Sequence, residues 1–288
     1  MSTQPAPGAR IESLPVRGAH RPLIMGILNV TADSFYAASR RAGPAAAVEA
    51  GRRMAEEGAD IIDIGGESTR PGAHPVTAQE ELLRVLPVIE ALAAAVRVPL
   101  SIDTSKAAVA ERALDSGATM LNDVLALRGA GMPAVAVRYP RVVLMHMLGS
   151  GPQTMQDAPR YGDVVGDIAD FFTQRLAAFR ASGGEPERVW LDPGIGFGKN
   201  VEHNLEILAR LSEFRRLGRP LLIGASRKSF IGKVLGSADA PAPAEQRLAG
   251  SLAAACRAAE AGAACVRVHD VAETRHALEI WARTGSRG

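Results

Sequence analysis

From Leu23 to His269 the chain repeats one unit eight times: a short apolar run rich in Val, Ile and Leu, followed in most cases by a longer stretch with helical spacing. The runs cover 23–30, 60–64, 99–103, 119–122, 142–146, 189–192, 220–225 and 265–269. Most are too short for helices. Continuous rather than alternating hydrophobicity is the pattern of parallel strands buried on both faces. Helices are expected at 44–57, 77–95, 105–116, 163–182, 201–217, 244–261 and 271–283, with a weak one at 129–138. Gly58, Gly117, Gly183, Gly218 and Gly262 stand at or just beyond helix ends, where a left-handed residue stops a helix. Thr77-Ala78-Gln79-Glu80 resembles a capping box. Eight uninterrupted strand–helix units predict an α/β protein, a (β/α)8 TIM barrel in a single domain at 22–288, after a polar, flexible tail at 1–21. An open doubly wound sheet is the alternative, but the Gly-x-Gly-x-x-Gly turn that usually marks one is missing after the first strand.

The totals fit this reading. A chain of 288 residues suits a barrel, for which about 250 is typical. A net charge of +2 gives no global basic field, so no nucleic acid and no membrane surface is expected as a partner, and any anion site must be local. No apolar run reaches the roughly 20 residues that span a bilayer. Cys256 and Cys265 form neither a metal-ligand spacing nor a disulfide framework, and a reducing, cytoplasmic setting is expected.

A buried strand should end in an apolar residue or a turn. These strands end in Asn29, Asp63, Asp103, Asn122, His146, Asp192 and His269. Such a ring places a site at the C-terminal mouth of the barrel. After strand two comes Gly65-Gly66-Glu67-Ser68-Thr69-Arg70-Pro71-Gly72, with hydroxyls and a guanidinium fork suited to phosphate. After strand six comes Asp192-Pro193-Gly194-Ile195-Gly196-Phe197-Gly198-Lys199, whose alternating glycines free backbone N–H groups. Ser226-Arg227-Lys228-Ser229 follows strand seven, and Arg267 and His269 on strand eight face the same way. Bases after strands seven and eight match the usual phosphate position of this fold. The carboxylates of Asp103 and Asp192, with Asn122, call for a partner rich in donors, such as a flat heterocycle with a guanidine-like edge. The mouth therefore divides into a half that reads a heterocycle and a half that holds an anion. His20, His74, His203 and His276 fall in the tail, on loops or on helix faces and read as solvated.

These stretches, in order, resemble the dihydropteroate synthase family of pterin-binding barrels. The matching motifs are Met25-Gly26-Ile27-Leu28-Asn29-Val30-Thr31, the loop from Asp63 to Gly72, Ser101-Ile102-Asp103-Thr104, Leu144-Met145-His146-Met147, Asp192-Pro193-Gly194 through Lys199, Ser226-Arg227-Lys228-Ser229 and Arg267-Val268-His269-Asp270. The resemblance implies condensation of 6-hydroxymethyl-7,8-dihydropterin diphosphate with p-aminobenzoate, assisted by Mg2+, to give dihydropteroate and pyrophosphate. By position, Asp103, Asn122, Asp192 and Lys228 would hold the pterin, with Met145 packed on it. Asn29 would ligate Mg2+. Asn29, Thr69, Arg70, Arg267 and His269 would bind the diphosphate. Phe35, Thr69, Pro71, Phe197, Lys228 and Ser229 would form the aminobenzoate pocket. Arg70, Lys228, Arg267 and His269 would be the catalytic set. Since the aniline nitrogen is already a free amine, no strong base is needed, and departure of pyrophosphate ahead of attack is the expected order. A homodimer through barrel helices is implied, with the apolar stripe 248–259 as one surface for it.

The first loop departs from the family pattern. It reads Thr31-Ala32-Asp33-Ser34-Phe35-Tyr36-Ala37-Ala38-Ser39, with Ala37 where the family has a second acid and no glycine pair. Altered activity or altered discrimination against sulfonamides is the expectation attached to that change. Two other readings share the barrel: a non-catalytic pterin-binding paralogue, and a methyltetrahydrofolate-dependent methyltransferase, which would have no need of the diphosphate cations.

Overall fold

The computed structural model describes residues 21–30, 43–68, 74–149 and 159–284. The strands are β1 (Leu23–Asn29), β2 (Ile61–Gly65), β3 (Leu100–Asp103), β4 (Met120–Asp123), β5 (Arg141–Met145), β6 (Val189–Asp192), β7 (Leu222–Ile223) and β8 (Cys265–Val268). All pair in parallel, in the order β6-β5-β4-β3-β2-β1-β8-β7. At the seam between β6 and β7, Leu191 and Leu221 form a parallel bridge, and the Leu191 N–H donates to Pro220 O at 2.9 Å. The sheet thus curls into the expected barrel.

The helices are α1 (Gly43–Glu57), α2 (Ala78–Ala95), α3 (Ala107–Asp115), α4 (Met132–Ala136), α5 (Val164–Ala181), α6 (Val201–Ala209), α7 (Ser229–Leu235), α8 (Leu248–Glu260) and α9 (Val271–Thr284). The capping box is real: Thr77 Oγ1 accepts from the Glu80 N–H at 3.2 Å, and Glu80 Oε2 accepts from the Thr77 N–H at 2.9 Å. Asp163 caps α5 by a single bond, its Oδ1 accepting from the Val165 N–H at 3.2 Å.

Three helices differ from the sequence expectation. The segment expected at 201–217 breaks at Arg210, beyond which Leu211–Leu217 is a 3-10 turn. Arg210 is held there by Asp163, Glu206 and Glu213. Leu211 and Phe214 are both buried, and a three-residue turn aligns such a pair on one face. The segment expected at 244–261 divides at Arg247, whose guanidinium donates to the carbonyls of Ala242 and Arg227. The weak segment at 129–138 contracts to α4, because Gly131 at φ +75° and Pro133 in the first turn set a late start. Periodicity does not announce α7, which is short and follows directly on a site motif.

Packing forms two layers. Inside the barrel, Leu23, Met25, Ile61, Met120, Val143, Trp190, Leu222 and Cys265 fill the lumen. A larger shell between strands and helices includes Ile24, Ile62, Ile89, Leu121, Phe172 and Phe214. Burying each such side chain stabilises the fold by about 1.5–3 kcal/mol before entropy is counted. The lumen is therefore closed below the mouth, and a ligand meets only the strand ends. Apart from Arg21, which pairs with Asp60 at 2.7 Å, the 1–21 tail lies outside the described residues. Among the described residues no helix is long and apolar enough to cross a membrane.

Candidate active site

Period-two alternation carries the lumen pattern up to the mouth. On β8, Cys265 faces the lumen, so Arg267 two residues later points inward above it. Its Nε donates to Asp63 Oδ2 at 2.6 Å, and its Nη2 donates to Asp103 Oδ2 at 2.7 Å. Asn122 Nδ2 donates to the same Asp63 oxygen at 3.0 Å. Asp63 is wholly buried, with the Arg267 cation facing it. Burial pushes the Asp103 carboxyl up to about 7, against the pull of Arg267 and with the help of Asp63 and Glu81. Burial opposes the charge on Arg267, but Asp63 and Asp103 outweigh it and keep the guanidinium charged.

On the opposite side, Asp192 ends β6, and its Oδ1 accepts from the Gly194 N–H at 2.8 Å. Burial raises its pKa, while Lys228 and the Gly194 bond pull it down. The loop that follows turns through Gly194, Gly196 and Gly198, all with positive φ. A Cβ at Gly194 would lie 1.9 Å from the carbonyl oxygen of His146, so the loop can approach β5 only with glycine there. Lys228 Nζ donates to the carbonyl of Ile195 and stands 4.3 Å from the centre of the Phe197 ring. Burial brings the Lys228 amine down to about 8, with Asp192 acting to raise it.

Met145 at the end of β5 joins Val124, Met147, Leu125 and Phe197 in a small apolar cluster. It forms an apolar wall near the acids. Beneath it Lys199, buried, lies 3.0 Å from His146 Nδ1 and donates to Phe197 O at 3.0 Å. Burial, then Lys199, drives His146 down to about 2, so the ring is neutral, and burial lowers Lys199 well below its ordinary value. His269, just past β8, has Nδ1 at 3.1 Å from Ser226 Oγ.

The structure thus brings Asp103, Asn122, Asp192, Met145, Phe197, Lys228 and Arg267 to one mouth, with His269 on its rim. Asn29 ends β1, half-buried, paired in register with Gly65. Ser229 is exposed at the start of α7. Phe35, Thr69, Arg70 and Pro71 lie outside the described residues, as does the first loop with Ala37. Two features were not singled out from sequence. Asp63, seen there only as one polar strand end, is the acid that holds both Asn122 and Arg267. Arg267, assigned to the anion half, is bonded to acids of the heterocycle half, so the two halves form one network. Among the described residues there is no group of three or more His, Cys, Asp or Glu that could hold a metal. His203, read as solvated, completes a cap with Asn200 at the start of α6.

Comparison with known proteins agrees with this geometry. The family model described as "Pterin binding enzyme" matches residues 25–269. The dihydropteroate synthase of Escherichia coli is 47% identical over 260 residues, covering 90% of each chain. The structure of the Yersinia pestis dihydropteroate synthase with a sulfonamide drug complex superposes with a TM-score of 0.88 at 46% identity, covering 96% of this chain and 98% of that one. That of the Xanthomonas albilineans enzyme in complex with 7,8-dihydropteroate gives 0.85 at 42% identity, covering 98% and 100%. A barrel whose mouth sets Asp103, Asn122 and Asp192 against Arg267 and Lys228, matched over nearly its whole length by such relatives, belongs to the dihydropteroate synthase family of pterin-binding enzymes.

Proposed function

We propose that the chain condenses 6-hydroxymethyl-7,8-dihydropterin diphosphate with p-aminobenzoate, giving 7,8-dihydropteroate and pyrophosphate for folate synthesis. The observation that carries the reading is the network in which Arg267 is bonded to Asp63 and Asp103 beside Asn122. It offers fixed acceptors for a flat, donor-rich ring and, within the same side chain's reach, a cation for what that ring carries.

In this reading Asp103, Asn122 and Asp192 take the amino group and ring N–H groups of the pterin. Met145 packs on the ring face, and Lys228 contributes from the far side. The bond from the exocyclic carbon to the diphosphate oxygen breaks, with its electron pair leaving on oxygen. Arg70, Arg267 and His269 hold that departing charge where it develops. The aminobenzoate nitrogen then bonds to the exposed carbon and releases its proton, held in a pocket of Phe35, Thr69, Pro71, Phe197, Lys228 and Ser229. Relatives support both halves, since the Xanthomonas albilineans dihydropteroate synthase has been solved with 4-aminobenzoic acid and in complex with 7,8-dihydropteroate.

Asn29 offers one neutral oxygen at the mouth. That donor fits Mg2+, which commonly takes one or two protein ligands and completes its shell with substrate phosphates and water. When bound, the ion would spread the negative charge of the departing pyrophosphate. A homodimer is supported by exposed Leu205 on α6 and exposed Val234 and Leu235 on the neighbouring α7. The small residues of 248–259 instead face the core, with Ala254, Ala255, Ala258 and Ala259 buried. A cytoplasmic setting accords with the substrates and with two unpaired cysteines.

The test is Mg2+-dependent release of pyrophosphate from the pterin diphosphate in the presence of aminobenzoate. Tight pterin binding without turnover would overturn the reading in favour of a non-catalytic paralogue. Repeating the assay with sulfonamides measures whether the Ala37 loop alters discrimination.

A further inference from the structure

Where β7 and β8 end, two consecutive residues of one clasp two residues of the other. Ser226 Oγ lies 3.1 Å from His269 Nδ1 and accepts from the His269 backbone N–H at 3.2 Å. Next to it, Arg227 donates through Nε to Asp270 Oδ2 at 2.8 Å and through Nη2 to Asp270 Oδ1. Neither Arg227 nor Asp270 has a part in the reaction described above. Yet Arg227 sits at φ +56°, a conformation residues with a Cβ seldom adopt. It is the turn that carries the chain from β7 into α7, with Ser226 on one side and Lys228 on the other. Its backbone is held as well by Ser251 of α8 and by Arg247, which precedes that helix. The Arg227 N–H donates to Ser251 Oγ at 2.9 Å, and the Arg227 carbonyl accepts from Arg247 Nη1 at 3.0 Å.

At the contact between Ser226 and His269 the ring tautomer decides which side donates. The Ser226 side chain is buried, its oxygen already accepts from the His269 N–H, and its own hydrogen has Nδ1 within reach. With Nδ1 accepting, the ring proton of neutral His269 lies on Nε2. A histidine so fixed offers an anion an N–H donor without having to be charged.

We propose that Arg227 and Asp270 are positioning residues: their bidentate ion pair fixes the left-handed turn so that Ser226 holds His269 as the Nε2–H tautomer and Lys228 stays beside Phe197. The proposal rests on the reading of His269 as a diphosphate-binding residue.

The test is 15N NMR of the His269 side chain in the full chain at pH 8, for the wild type and for Arg227→Gly, Asp270→Asn and Ser226→Ala. Glycine accepts the left-handed φ, so Arg227→Gly removes the fork while sparing the turn. The wild type should show unprotonated Nδ1, and each variant a mixture of tautomers. Affinity for inorganic pyrophosphate with Mg2+ should fall by roughly tenfold or more, the scale on which partners that orient a ligating histidine act. The Arg227→Gly/Asp270→Asn double variant should be no worse than either single one. Variants that keep the wild-type tautomer and pyrophosphate affinity would overturn the proposal. If Asp270→Asn does not fold, Arg227→Gly and Ser226→Ala decide it. If the wild type releases no pyrophosphate from the pterin diphosphate, the synthase reading fails, while the tautomer comparison still decides the clasp.

Discussion

Asp103 and Arg267, bonded at 2.7 Å, tie the stability of the mouth to its proposed hold on the pterin. The ordinary aspartate value is 3.8, and burial moves Asp103 up to about 7. A ring that donates N–H groups needs the ionised form. The KM for the pterin diphosphate should therefore rise as pH falls through about 7, approaching tenfold per unit below it. Steady-state kinetics from pH 5.5 to 8.5 check this, and Asp103→Asn should abolish the dependence. Lys228, at about 8, supplies the opposite limb, since its cation is lost as pH rises through that value. Arg267→Met should do more than slow turnover. It would strand Asp63, a fully buried carboxylate, and lower stability by about 3–5 kcal/mol in urea unfolding. An unchanged midpoint would mean that Arg267 is not what holds Asp63 in the core. The placing of Asp103, Asn122 and Asp192 at the mouth was legible in the sequence, because a polar residue ending an apolar run is conspicuous. The hold of Asp63 on Arg267 was not, since the two lie 204 positions apart and only ring closure brings them together.

Among the elements, starts were easier to read than breaks. Thr77 and Asp163 announce α2 and α5 through chemistry confined to one turn. The break at Arg210 depends on Asp163, which another element supplies. The turn after β4 was equally hidden. Ala126 and Leu127 both have positive φ, and Asp123 holds them by accepting from the N–H groups of Leu125 at 2.8 Å and Leu127 at 2.7 Å. Asp123→Ala should cost about 2–3 kcal/mol by leaving these donors unpaired, measured by urea unfolding. Asp123→Asn, which keeps one acceptor, should cost less. In the β6 loop, Gly194→Ala should force Gly194 away from His146 and so shift Phe197. The expected result is a lower melting temperature together with a higher pterin KM, and a variant unchanged in both would refute the packing argument.

The whole barrel is uneven in its lacing. β1 is paired to β2 from Met25 to Asn29 and to β8 from Leu23 to Gly26. β7 contributes two paired residues to β8 and meets β6 through the bridge between Leu191 and Leu221. Hydrogen exchange should therefore be slowest in β1 and β2 and fastest, among strand amides, along the β6–β7 seam. Mass spectrometry of deuterium uptake measures this, and equal protection around the ring would show that the outer helices, not the strand ladders, govern opening. The order of the barrel was legible from the alternation of runs alone. The location of its weak seam was not, because 220–225 reads as a full strand until Gly224 and the turn at Arg227 shorten it.

The staple made by Arg267 also bears on how the chain is born. Asp63 and Asp103 belong to the second and third strands, and their cation belongs to the eighth. During vectorial synthesis those acids leave the ribosome long before their partner exists. They must stay hydrated, and the early strands cannot settle around them, until β8 arrives. Completion of the binding mouth and completion of the fold then become a single late event, so a half-made chain has no means of presenting a half-made site.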